Sequence, residues 1–265
     1  MEPIDVTLIR SSFILERRTI IMRVPFLSIA AVAAAIIVGG VLFSNKTQAQ
    51  EESVQLEAIK ASVVSETAEE TVAEETATET VEETVEVEEE TYMSPINFTE
   101  LKAQNADVQY WLTIDGTTVD YPVMNNGSES YLHLNFDGEK SSQGSLFVDP
   151  ASDDSLTIIY GHNMRNGSMF HDVDRFNNKD FFESHKSIKL YEEDKESELS
   201  PVVAIYGKAD DAVRSIKTAE DLKAFAANKT VSNGEIPEEI GSLVVLVTCN
   251  YAGNDFRTYL VCEYK

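Results

Sequence analysis

Basic residues are scarce in this chain. Lysine and arginine number 21 against 46 aspartates and glutamates, a formal net charge of -25 over 265 residues. That balance excludes nucleic acid as a partner, because binding phosphate requires a basic surface. It suits a protein held off an anionic surface by repulsion. Cysteine is scarcer still. Cys249 and Cys262 are the two present, too few for a disulfide framework. The His, Cys and Asp residues show no clustered ligand spacing of the kind that holds zinc, so the sequence asks for no metal or other cofactor. A third scarcity is local. Between Gln50 and Ser94 there is no proline, and no aromatic residue before Tyr92. Such a segment cannot bury enough apolar surface to offset its ordering entropy.

The charge is unevenly placed: +2 over residues 1–50, -14 over 51–95 and -13 over 96–265. Val24–Phe43 carries no charge and is mostly Ala, Ile, Val and Leu. At ~1.5 Å per residue, such a run spans the ~30 Å core of a bilayer. Arg10, Arg17, Arg18 and Arg23 precede it, and only Lys46 closely follows. The positive-inside rule keeps residues 1–23 in the cytoplasm and exports the rest. A cleaved signal peptide would normally have a shorter apolar core, so the sequence predicts a retained single-pass anchor over 24–43 in the cytoplasmic membrane. Residues 44–95, with runs such as EETVAEETATET, read as a disordered acidic spacer extended by like-charge repulsion. A globular domain is expected over 96–265.

Within that domain the pattern is mainly β. Strands are expected at Tyr110–Ile114 and Thr117–Tyr121, around the hairpin signal Asp115-Gly116. Further strands are expected at Gly144–Val148, Leu156–Tyr160, Ile188–Tyr191 and Val202–Lys208. Short helices are expected after Asn97, over Ser168–Phe176 and Lys179–His185, and from a Thr218/Asp221 capping box through Asn228. Leu243–Thr248 is a continuous apolar, β-branched run suited to a strand buried on both faces. The turn Asn250–Asp255 then leads into a last strand from Phe256. About eight short strands without βαβ alternation favour a barrel or sandwich.

The candidate site grows from the last two strands. Cys249 ends the apolar strand, and Arg257 stands at the mouth of its neighbour. A guanidinium beside a thiol lowers its pKa and can hold an oxyanion. Cys262 faces away from Arg257 by strand alternation and reads as a core thiol. His133, His171 and His185 read as partly exposed helix histidines. His162 differs, because it follows Gly161 at once beyond the strand Leu156–Tyr160. Such a position is held rigidly at the rim of a scaffold. Cysteine with histidine makes an acid/base-assisted nucleophile. His162, Cys249 and Arg257 are therefore the candidate catalytic residues.

These residues resemble those of a known family, the sortases. The resemblance spans most of residues 96–265. It is carried by Thr248-Cys249 with Arg257 eight positions on, and by Tyr160-Gly161-His162-Asn163-Met164 running into Gly167-Ser168-Met169-Phe170. Val119–Val123 and Gly144–Asp149 add support. The YGHNM…GSMF block, with Phe176, Asp180-Phe181-Phe182 and the helix around Thr218–Asn228, is most similar to class B. The resemblance implies a closed eight-stranded sortase β-barrel and cysteine transpeptidation at the outer membrane face of a Gram-positive cell. It implies that Cys249 attacks the Thr carbonyl of a C-terminal sorting motif in secreted proteins, forming a thioacyl-enzyme. His162 would protonate the leaving amine and deprotonate the incoming one. Arg257 would hold the motif and the oxyanion. The acceptor would be a peptidoglycan-precursor amine or a pilin lysine. Some class B relatives place a carboxylate two residues after the cysteine, where this chain has Tyr251; Asp255 and Asn250 are candidates to orient His162. Two other readings stand beside this one: a thiol peptidase that hydrolyses the acyl-enzyme, and a stalked surface module with no catalysis.

Overall fold

The computed structural model describes residues 50–51, 54–63 and 92–265. The expected anchor at 24–43 and most of the expected spacer lie outside the described residues. Among those described, no helix is long and apolar enough to cross a membrane.

Nine strands form one sheet: β1 (Val108–Ile114), β2 (Asp120–Met124), β3 (Leu146–Val148), β4 (Leu156–Tyr160), β5 (Ile188–Tyr191), β6 (Glu196–Lys208), β7 (Thr230–Gly234), β8 (Leu243–Asn250) and β9 (Phe256–Tyr264). Their order is β5-β1-β2-β3-β4-β8-β9-β6-β7, and β5 also pairs with β6. That pairing closes eight strands into a barrel. The β2–β3 and β4–β8 pairs are parallel and the others antiparallel. The expected eight-stranded barrel is present. β7 is an addition that pairs along β6 beyond the segment used by β5. The first hairpin forms as the Asp115-Gly116 signal predicts, but with a longer turn: Ile114 N–H bonds the Val119 carbonyl at 3.0 Å and Gly116 sits at φ +77°.

The apolar run in β8 has two destinations. Val244 and Leu246 pack with Leu260, Cys262, Phe170 and Phe176 on one face. Val245 and Val247 pack with Tyr259, Val261, Leu222 and Phe225 on the other. Alternation of side chains along a strand makes this division, and it is why the run needs no polar interruptions.

Helices fill the connections. α1 (residues 54–63) and α2 (Phe98–Gln104) contribute Ile59, Val63, Phe98 and Leu101 to one buried cluster with Trp111. Asn97 caps α2 by accepting from Glu100 N–H. α3 (His171–Arg175) and α4 (Lys179–Ser184) follow β4, and α5 (Ala219–Ala226) starts at the predicted Thr218/Asp221 capping box. α1 falls in the segment read from sequence as spacer. Its Leu56, Ile59 and Val63 lie at helical spacing; Ile59 and Val63 are buried, and Val63 O accepts from Asn97 N–H at 2.8 Å. The packed domain thus starts before residue 96.

Candidate functional site

The parallel pairing of β4 with β8 runs to Tyr160 opposite Val247. It continues one residue further through Gly161 N–H to Val247 O at 3.1 Å, and the Thr248 hydroxyl donates to Gly161 O at 2.8 Å. His162 and Cys249 come next on adjacent chains. Gly161 is needed for space: a Cβ there would stand 2.4 Å from Leu146 Cδ2 and 2.8 Å from the Phe170 ring. On the other side of β8, Cys249 pairs directly with Arg257 of β9. Directly opposed residues share a face, so thiol and guanidinium emerge on the same side of the sheet as Val247 and Tyr259. Cys249, Arg257 and His162 are all half-buried and line one cleft of about 260 Å³.

The His162 ring is held by one bond, Nε2 to Leu132 O at 2.9 Å. A carbonyl can only accept, so Nε2 donates to it and Nδ1 is the ring nitrogen outside that bond. Leu132 belongs to a 3-10 turn, Ser130–Leu132. His133 follows it, with its ring centroid 6.3 Å from that of His162. Asn250 and Asp255 do not take the orienting role. The Asn250 amide bonds Asp174 and Thr258, and Asp255 lies 3.5 Å from Arg257. Tyr251, two residues after the cysteine, donates its hydroxyl to Asn163 O.

The far wall of the cleft is the connection from β6 to α5. Arg214 on it donates from Nε and Nη2 to Asp149 at 2.9 and 2.7 Å, and from Nη2 to Glu129 at 2.6 Å. Asp149 is buried, and its hydrogen bonds hold the guanidinium pKa above the ordinary value despite the desolvation that opposes it. The pair ties this wall to the end of β3 and, through Glu129, to the turn carrying Leu132. Tyr259 on the floor is pushed up to about 12, first by burial. Cys262 is fully buried and its thiol is pushed up by desolvation; it lies on the opposite face from Cys249, as expected.

No protein-family model matches the chain. Similar proteins do. The chain is 38% identical over 117 residues to sortase B of Listeria monocytogenes, a match covering 42% of this chain and 47% of that relative, about half its length. The X-ray structure of Clostridium perfringens sortase B superposes with a TM-score of 0.56 at 32% identity, covering 63% of this chain and 99% of that one. The chain belongs to the class B sortases. A class B sortase from Streptococcus pyogenes involved in pilus biogenesis matches at 26% identity and a TM-score of 0.55, covering 64% of this chain and 98% of that one.

In this sortase domain the three residues singled out by sequence meet in one cleft. Sequence reasoning missed the Leu132 carbonyl, the Arg214–Asp149 pair and a polar cluster around Asp174. The available signal for the last was the run of amide and hydroxyl residues beside each candidate: Asn163, Asn250 and Thr258.

Proposed function

We propose that the chain is a membrane-anchored cysteine transpeptidase acting on secreted proteins with a C-terminal sorting motif. The observation that carries this is the direct pairing of Cys249 with Arg257 in the cleft that His162 also lines. Cys249 attacks the carbonyl of the motif's Thr, and a thioacyl-enzyme forms as the amine leaves. Covalent catalysis divides one hard acyl exchange into two easier ones. His162, its Nε2 held by Leu132 O, takes the Cys249 thiol proton at its free nitrogen as sulfur bonds the carbonyl carbon, and gives it to the leaving amine. It then takes one from the incoming amine and returns it to the departing thiolate. Arg257, paired with Cys249 across the β8–β9 ladder, offers planar donors to the carbonyl oxygen as it gains charge. Anchored at 24–43, the enzyme works beside the immobile wall, and confinement raises the effective concentration of its amine acceptor.

The favoured acceptor is an amine of the cell-wall precursor. The similarity to a pilus-building class B sortase supports a second reading, in which the acceptor is a pilin lysine. The test uses the full-length protein with a panel of peptides bearing candidate sorting motifs. Cleavage that requires Cys249 and shifts to an amine adduct when an amine is added is the expected result. Cysteine-dependent cleavage that gives only free acid, whichever wall or lysine amine is supplied, identifies a peptidase instead. Equal cleavage by Cys249→Ala removes the mechanism altogether.

A further inference from the structure

Each candidate catalytic residue is followed in the chain by a polar residue: Asn163 after His162, Asn250 after Cys249, Thr258 after Arg257. On β8 and β9, alternation turns these followers to the face away from the cleft. There they converge on one carboxylate, Asp174 of α3. Asn163 Nδ2 donates to Asp174 Oδ2 at 3.1 Å, Asn250 Nδ2 to Oδ1 at 2.7 Å and the Thr258 hydroxyl to Oδ1 at 2.6 Å. All three followers are buried. Asn163 also donates to Cys249 O at 2.9 Å, and its own oxygen meets His171 Nδ1 at 3.1 Å. Asn177 adds donors to Asp174 Oδ1 and to Thr258 Oγ1 at 3.2 and 2.8 Å.

We propose that Asp174 is a positioning residue for the reaction: its carboxylate holds the segments carrying His162, Cys249 and Arg257 in one fixed relation from behind the sheet. The inference rests on the reading of those three residues given under Proposed function. An ionised carboxylate is acceptor-only and can take several donors on two oxygens. Such charge-assisted bonds are shorter and stronger than neutral ones. Among the described residues no backbone pairing does the same work for all three, because His162 lies beyond the last ladder pair of β4. An asparagine at 174 has nearly the same shape, but it turns an amide against the donors of one follower. Misplacing reacting groups by ~1 Å can cost ~10²-fold in rate.

The test compares full-length wild type, Cys249→Ala, Asp174→Asn and Ser232→Ala. Ser232 donates to Asn177 at the outer end of the cluster, away from the cleft. The readouts are kcat and KM for an accepted sorting peptide with amine, the pH profile of Cys249 alkylation by iodoacetamide, and Tm. Asp174→Asn is expected to lower kcat roughly 10- to 100-fold with KM nearly unchanged, and to shift the alkylation profile. Ser232→Ala should lower Tm while leaving kcat within about twofold. If Asp174→Asn does not fold, Thr258→Val keeps the side-chain shape, removes one donor, and should lower kcat about threefold or more. Cys249-dependent activity that survives intact in Asp174→Asn, or in Thr258→Val where that is the variant read, overturns the inference alone. So does a kcat loss matched by Ser232→Ala. Activity that persists in Cys249→Ala overturns the catalytic reading, and the inference with it.

Discussion

Gly161→Ala isolates a steric requirement one residue from His162. The backbone there is not left-handed, so alanine meets no conformational penalty, and the cost is space alone. The added Cβ would stand 2.4 Å from Leu146 Cδ2 and 2.8 Å from two ring carbons of Phe170. Both neighbours are 0% exposed and packed in the main core, so neither can swing away into solvent. Overpacking of this kind costs ~1–3 kcal/mol. At ~2–4 °C per kcal/mol for a domain of this size, Tm should fall by about 2–12 °C. The chain cannot retreat freely either, because Gly161 N–H and O are tied to Val247 and Thr248. Any shift therefore passes to His162, and under the proposed function the loss of activity approaches ~10²-fold for a ~1 Å displacement. Leu146→Ala removes the closest atom at its own cost of ~2–5 kcal/mol. The double variant should be less destabilised than the sum by at least ~0.5 kcal/mol. The assays are thermal unfolding and Cys249-dependent peptide cleavage. Gly161→Ala with wild-type Tm and rate, or strict additivity with Leu146→Ala, would refute the argument.

Three further outcomes are expected. Burial alone would raise the Asp172 carboxyl, but bonds from Thr118 N–H, Arg175 and the Thr118 hydroxyl outweigh it and hold the pKa below the ordinary value. Its contribution is therefore full above the unfolded value of ~3.9 and lost as pH falls through the lower folded value; the gap in urea midpoint between wild type and Asp172→Asn should shrink on acidification, and a gap constant from neutral pH to pH ~2 would contradict this. Arg214→Met leaves the buried Asp149 without its cation and should cost ~3–5 kcal/mol in chemical denaturation, with Asp149→Asn added to it restoring part; a loss below ~1 kcal/mol would show that the pair is not what holds the cleft wall. Val63→Ala should destabilise the domain by about 1.5 kcal/mol, because Val63 is 1% exposed, whereas a solvated spacer predicts no change.

Much of the barrel was legible because its strands carry local signatures. β4 and β5 fall where the pattern put them, and the Thr218/Asp221 box starts α5 as expected. β7 was not legible. Its sequence, Thr-Val-Ser-Asn-Gly, has weak strand character, and its residues are exposed or half-buried; it is a strand because β6 offers it an edge. β6 was read six residues short for a related reason: Glu196–Pro201 has no apolar alternation and is ordered by pairing with β5 and β9. α1 was hidden by composition. Glutamates dominate its neighbourhood, and Leu56, Ile59 and Val63 make a stripe too narrow to outweigh them until the barrel supplies a surface for it.

The site divides along the same line. Cys249 and Arg257 were readable as a pair because their spacing follows from antiparallel register. Every β8–β9 pair keeps one alignment, from Leu243 with Glu263 to Asn250 with Phe256. A turn over residues 251–255 then forces Cys249 opposite Arg257. Asp255 helps close that turn by adopting the left-handed conformation, φ +58°. His162 was readable for a different reason, since it ends a strand whose parallel partner is β8. Nothing local marks Leu132 or Asp174. One acts through a backbone carbonyl, which has no sequence signature. The other looks like any acid on a short polar helix until three strand ends deliver their donors to it. Both lie where chain order and spatial order separate, and both contact the candidate residues or the residues next to them. The candidate chemistry of this fold is therefore written in residue types at fixed spacing, while its geometry is set by polar contacts between segments far apart in the chain.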